Sequence, residues 1–183
     1  MQKKNNNLLI WIDCEMTGLD PEQHVLLEIA TVITDNRLKV VAKGPCLTIK
    51  QTKSALNKMD SWCWKTHTSS GLLDRMSKEG VSAKKAEAET LAFLRQYCRA
   101  KKSPLCGNTI GQDRRFLVKY MPELHAFFHY QSIDVSTVKQ LARRWYGKKC
   151  EPPKKQECHR ALEDIMESIT ELAFYRSKIF KGT

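Results

Sequence analysis

Long apolar runs are missing from this sequence. Residues 8–12 are apolar, but Asp13 stops them, which is too short for the core of a secretion signal or for a membrane span. The expected location is the cytoplasm. Cys-x-x-Cys pairs are missing too, although seven cysteines occur: Cys14, Cys46, Cys63, Cys98, Cys106, Cys150 and Cys158. An odd count, with several thiols inside apolar runs, points to reduced cysteines rather than a disulfide framework or a zinc site. There is no internal repeat and no low-complexity tract. Acids are in short supply, 20 against 31 lysines and arginines, for a net charge of +11. That excess attracts polyanions at long range without reading their sequence, and it also suits an ordinary basic surface. What is present is a globular composition: 42% hydrophobic and 28% charged residues in a chain of 183, the size of one domain.

Residues 8–13 read as a buried strand. Gly18-Leu19-Asp20-Pro21 reads as a turn, with Pro21 pushing Asp20 into extended geometry. Residues 26–34, rich in β-branched side chains, give a second strand, and 38–49 a third, interrupted at Gly44-Pro45. Short turns between them suggest an antiparallel meander. From residue 82 the period becomes helical: over 82–98, Ala86, Leu91, Leu94 and Cys98 fall near one face with charges opposite. Short strands are expected at 104–107 and 132–135, and helices at 111–120, 135–145 and about 159–180. The last helix carries a stripe of Leu162, Ile165, Ile169, Leu172 and Phe174. Residues 1–7 form a polar tail, and 147–157 a basic loop holding Pro152-Pro153. The expectation is one α/β domain over 1–183, a mixed sheet flanked by helices.

Asp13 and Glu15 stand two apart at the end of the first strand. Side chains alternate along a strand, so both carboxylates should point to one side. Neighbouring anions repel, so one tends to keep its proton unless a cation is present, and paired hard oxygens suit Mg²⁺ or Mn²⁺. The pair also fits an ordinary solvated strand end. Asp113 follows Gly111 where a helix begins, where an acid gains about 0.3–1 kcal/mol from the helix dipole. Asp164 lies five residues after His159 and fits a solvated acidic face with Glu163 and Glu167, just as His159 fits a plain helix start.

The order of these residues says more than any one of them. An Asp-x-Glu closing the first strand, an Asp opening a mid-chain helix and a His-x4-Asp opening the last helix resemble the DEDDh exonucleases. The resemblance sharpens over whole stretches. Leu9-Ile10-Trp11-Ile12-Asp13 with Glu15-Met16-Thr17-Gly18-Leu19 resembles the opening motif of the oligoribonuclease family, and residues 106–117, from Cys106-Gly107-Asn108 to Arg115-Phe116-Leu117, its central motif. Ile133-Asp134-Val135-Ser136-Thr137, Leu141-Ala142-Arg143-Arg144-Trp145 and His159-Arg160-Ala161-Leu162 follow in family order, so the match runs from about residue 8 to 176.

The resemblance implies a ribonuclease H-like fold and a 3′→5′ exoribonuclease that hydrolyses very short oligoribonucleotides to mononucleotides. It implies two divalent ions, Mg²⁺ or Mn²⁺, about 3.5–4 Å apart, held by Asp13, Glu15, Asp113 and Asp164. His159 would be the general base, since an imidazole titrates near neutral pH. Leu19 resembles the family's apolar wedge between two bases, against the plainer reading of a turn residue packed in the core. Trp62 and His67 fall in stretches similar to the family's substrate-side segment, Thr109 is expected to join them at the substrate, and an aromatic stacks on a base for about 1–3 kcal/mol. Tyr130 resembles the tyrosine that one subunit of a homodimer lends to its partner's site. Gln131 stands where the family carries an arginine and brings neither charge nor a bidentate fork to a 5′-phosphate. Asp134 reads as the cap of the helix after it. Lys84-Lys85, Lys101-Lys102, Lys148-Lys149 and Lys154-Lys155 read as solvated faces rather than an RNA track. No membrane and no further protein partner is implied. The rivals are a DEDDh exonuclease acting on DNA ends or tRNA, and a non-catalytic nucleic-acid-binding domain; all five polar residues being present speaks against the second.

Overall fold

The computed structural model describes residues 7–152 and 160–180. A five-stranded sheet in the order β3-β2-β1-β4-β5 forms the centre. β1 (Leu9–Met16), β2 (Leu26–Thr34) and β3 (Val40–Thr48) make an antiparallel meander. β4 (Leu105–Gly107) pairs parallel to β1, and β5 (Ser132–Asp134) parallel to β4. The expected mixed sheet is therefore what forms.

Alternation along β1 and β2 divides the core in two. Ile10, Ile12, Ile29 and Ile33 pack on one face with residues of α4 (Ala83–Tyr97), α5 (Gly111–Tyr120) and α6 (Pro122–Phe127). Leu9, Trp11, Ala30 and Val32 pack on the other with α7 (Val135–Tyr146) and α8 (Ala161–Lys178). Covered on both faces, all nine residues of β2 are buried. The stripe expected on the last helix, Leu162 to Phe174, lies in this second cluster.

Gly44-Pro45 bulges the third strand without ending it. Ala30 pairs with Cys46 and Val32 with Lys43, so Gly44 and Pro45 together oppose Thr31. β3 is an edge strand, where a proline without an N–H costs no ladder bond. A Cβ on Gly44 would sit 2.5 Å from the Phe93 ring of α4, so a larger residue there would have to push that ring aside.

Three helices between the meander and α4 go beyond the expected elements: α1 (Lys53–Leu56), α2 (Ser61–Ser69) and α3 (Leu72–Glu79). Caps define the first two, with Thr52 accepting from the Ala55 amide and Asp60 from that of Cys63. Asp134 caps α7 as expected, accepting from the Ser136 amide at 2.8 Å. The basic loop opens with a 3-10 turn, Gly147–Cys150, that buries Cys150. The described part of the last helix starts at Ala161. Residues 1–6 of the tail, 153–157 of the loop and His159 lie outside the described residues. Among the described residues no helix is long and apolar enough to cross a membrane.

Candidate active site

Asp13 and Glu15 continue the row of Leu9 and Trp11, which puts both on the α8 face of the sheet. There they meet Asp164, in the first turn of α8. One carboxylate oxygen from each of the three lies within 4.8 Å of the other two. Asp113 approaches β1 from α5 on the opposite side. β4 pairs with β1 only as far as Trp11, so it does not reach the Cys14 amide. That N–H donates instead to Asp113 Oδ1 at 2.9 Å. The fourth carboxylate is thus fixed to the residue between the first two, and it is 6% exposed.

Crowding of anions in a partly dry site shows in their proton affinities. Burial, then the anions of Asp164, Glu28 and Asp113, push the Glu15 carboxyl up to about 8. Burial also raises Asp113, to about 7, against the opposing Cys14 hydrogen bond. An all-oxygen donor set that resists ionising together is what a hard divalent cation relieves, so the residues fit such an ion.

A stability test follows from these directions. A carboxyl with a folded pKa above its unfolded value, about 3.9–4.3, keeps its proton longer in the folded chain. Folding then loses stability as pH rises from about 4 towards about 8. The metal-free protein should melt on the order of 5 °C lower at about pH 8.5 than at about pH 5.5, and added Mg²⁺ should recover more at the higher pH. A metal-free melting temperature that climbs over this window would contradict the crowding.

The expected substrate-side residues occupy different settings. Leu19 is 71% exposed, at the tip of the turn after β1. That turn is fastened to α5: Gln112 donates to the Leu19 carbonyl, Lys119 to that of Pro21 at 2.7 Å, and the Tyr120 hydroxyl to that of His24 at 2.7 Å. Trp62, on α2, is also exposed. His67 is buried, its Nε2–H donating to the Met16 carbonyl at 2.9 Å and its Nδ1 lying 3.9 Å from Glu15. It packs beside Glu15, while Trp62 of the same helix is exposed. Thr109 has φ +50° and is held by its amide, which donates to Asp134 Oδ1 and Ser136 Oγ at 3.0 Å each. Tyr130 is 79% exposed in this chain, next to the exposed Gln131.

Sequence reasoning missed two residues. Glu28 of β2 stands directly opposite Glu15 in the ladder and is buried, and Arg75 of α3 pairs with it at 2.8 Å. An acid inside an apolar strand gives no signal of its own; its register against Glu15 was the available clue.

An exonuclease family model of the ribonuclease T type matches residues 10–172. The oligoribonuclease of Marinobacter nauticus is 56% identical over 97% of this chain and 98% of its own length. That of Vibrio cholerae is 56% identical over 94% and 96%. This chain belongs to the oligoribonuclease family of exonucleases. It is accordingly a metal-dependent nuclease, a hydrolase of phosphodiester bonds. Among solved structures, Escherichia coli exonuclease I with zinc and single-stranded DNA superposes with a TM-score of 0.74 at 13% identity. The match covers 97% of this chain but 42% of that one, and shows the ribonuclease H-like fold.

Proposed function

We propose that this family member is a 3′→5′ exoribonuclease that reduces very short oligoribonucleotides to mononucleotides. The observation that carries the reading is an apolar Leu19 held in water by a turn bolted to α5, the helix that also supplies Asp113. An exposed apolar side chain on a held turn can enter between two bases without first being ordered. Trp62 offers an exposed ring for stacking on a base, about 1–3 kcal/mol by its removal. Thr109, fixed by Asp134 and Ser136, lies just before α5, the helix of Asp113.

Asp13, Glu15, Asp113 and Asp164 would hold two ions, Mg²⁺ or Mn²⁺. Bound there, such ions supply Lewis acidity at the phosphoryl oxygens and make water a better nucleophile at neutral pH. His159 takes the proton of the attacking water on an imidazole nitrogen. His67, substrate-side in the family resemblance, is proposed to act there through Glu15, whose carboxylate lies 3.9 Å from its Nδ1. The cytoplasm is the proposed location.

The test uses 5′-labelled RNA of about two to thirty nucleotides, with and without Mg²⁺, on the wild-type chain and Leu19→Ala. Dinucleotides should be favoured, and Leu19→Ala should weaken that preference while leaving the fold intact. Equal efficiency on dinucleotides and thirty-mers would favour a general exonuclease instead.

The proposed working unit is a two-fold homodimer in which Tyr130 completes the partner's site. Its exposure in this chain suits a residue that serves elsewhere. Mixing Asp113→Asn with Tyr130→Ala after subunit exchange should return roughly a quarter of wild-type activity, because about half the dimers are mixed and each has one intact site. If Tyr130 serves its own subunit, mixing restores nothing.

A further inference from the structure

We propose that Glu28 is a positioning residue that fixes the start of α8, and with it Asp164, against the carboxylates of β1. The proposal rests on the exoribonuclease reading of this site. Glu28 is 2% exposed, and an acid buried so deeply is costly unless charge and hydrogen bonds meet both oxygens. Here they do. Oε1 accepts from Arg75 Nη2 at 2.8 Å, and Oε2 accepts from the Ala161 amide at 3.2 Å.

Ala161 is the first residue of α8, and its N–H is one of those that a helix leaves without a partner inside itself. Arg160 precedes it and makes no side-chain cap, so β2 supplies the cap from across the fold. A carboxylate there is also favoured by the helix dipole. Asp164 follows within one turn, its amide bonded to the Arg160 carbonyl at 3.0 Å. Shifting the start of α8 would therefore carry Asp164 away from Asp13 and Glu15. At the other end, Arg75 also donates to the Ser70 carbonyl at 3.0 Å, at the C-terminus of α2, the helix of Trp62 and His67. One buried carboxylate thus ties both walls of the site to the strand facing Glu15.

Stability alone does not explain it. Glu28 stands opposite Glu15 and adds to the anionic crowding there, which a neutral side chain would relieve. Nor is it a spare metal ligand, because both oxygens already have partners.

The experiment compares Glu28→Ala and Glu28→Gln with the wild-type chain. Arg75 is 31% exposed, so loss of its partner leaves it able to reach solvent. In metal-free protein, Glu28→Ala should lose hydrogen-exchange protection at the Ala161 amide while the β2 amides keep theirs. With Mg²⁺, kcat on a diribonucleotide should fall about 10–100-fold and KM should change less than about threefold. Glu28→Gln keeps an acceptor for Ala161 and should recover the protection and most of kcat. Unchanged protection at Ala161, or equal losses in both variants, would overturn the proposal. Should Glu28→Ala fail to fold, Glu28→Gln decides alone: a loss of about 100-fold with Ala161 still protected overturns the anchoring role. A wild-type chain that leaves oligoribonucleotides intact would remove the exoribonuclease reading, while the metal-free exchange measurement would still judge the anchor.

Discussion

Replacing Asp113 by asparagine should lower turnover about 10³-fold or more, at least about 4 kcal/mol of barrier, and leave the protein folded. Both halves come from its setting. Asp113 is nearly buried and is the carboxylate that reaches the site from the α5 side of the sheet, so no neighbour on that helix can replace its charge. Its structural task is to accept the Cys14 amide where β4 stops short, and an asparagine carbonyl oxygen does that equally well. Burial raises the Asp113 carboxyl to about 7, so above that pH the metal-free chain carries an anion it would rather lose. The Asp113→Asn change removes that anion, so the metal-free melting temperature at about pH 8 should hold or rise. Mg²⁺ should then raise it less than in the wild-type chain, because one anionic ligand is gone. Activity within tenfold of wild type, or full wild-type activity in excess EDTA, would sink the metal assignment.

How much of this is legible in the sequence depends on where burial comes from. β2 and α5 have the bounds expected of them, 26–34 and 111–120, because continuous apolar character and a helical period mark them locally. The helices of 53–79 leave no such mark. α2 buries only Cys63 and His67, α3 only Leu72 and Met76, and neither carries a long apolar stripe. Gly44-Pro45 looks like a break and is a bulge, a distinction that depends on β3 lying at the sheet edge. In the site, strand alternation pairs Asp13 with Glu15, but Asp164 joins them only through the resemblance to the DEDDh exonucleases; the fold does bring the three together. The hydrogen bond from Cys14 to Asp113 spans 99 positions and depends on the length of β4, which no local pattern shows. The burial of His67 and the pairing of Glu28 with Ala161 are likewise products of packing between distant segments.

Replacing His159 by alanine should lower kcat about 10²–10⁴-fold, the usual worth of a positioned proton acceptor. His159 itself lies outside the described residues, but the chain that follows it is placed. It precedes Ala161 by two residues and Asp164 by five. Ala161 is bonded to Glu28, and Asp164 gathers with Asp13 and Glu15, so the described start of α8 is held at the site. An unperturbed imidazole titrates near pH 6.5 and can accept a proton from water at neutral pH, which a carboxylate engaged with a cation does poorly. Loss of the base should also remove the acid-side limb of the kcat profile that its titration produces. Metal binding should survive, since imidazole is not among the oxygen donors, and the Mg²⁺-dependent gain in melting temperature should match wild type. Among the described residues, the histidine beside these carboxylates is His67, which is 2% exposed and gives its Nε2–H to the Met16 carbonyl. A loss below tenfold in His159→Ala would pass the proton to another group. If His67→Ala then removed the acid-side limb that His159→Ala had spared, the base would be on α2 and not at the start of α8.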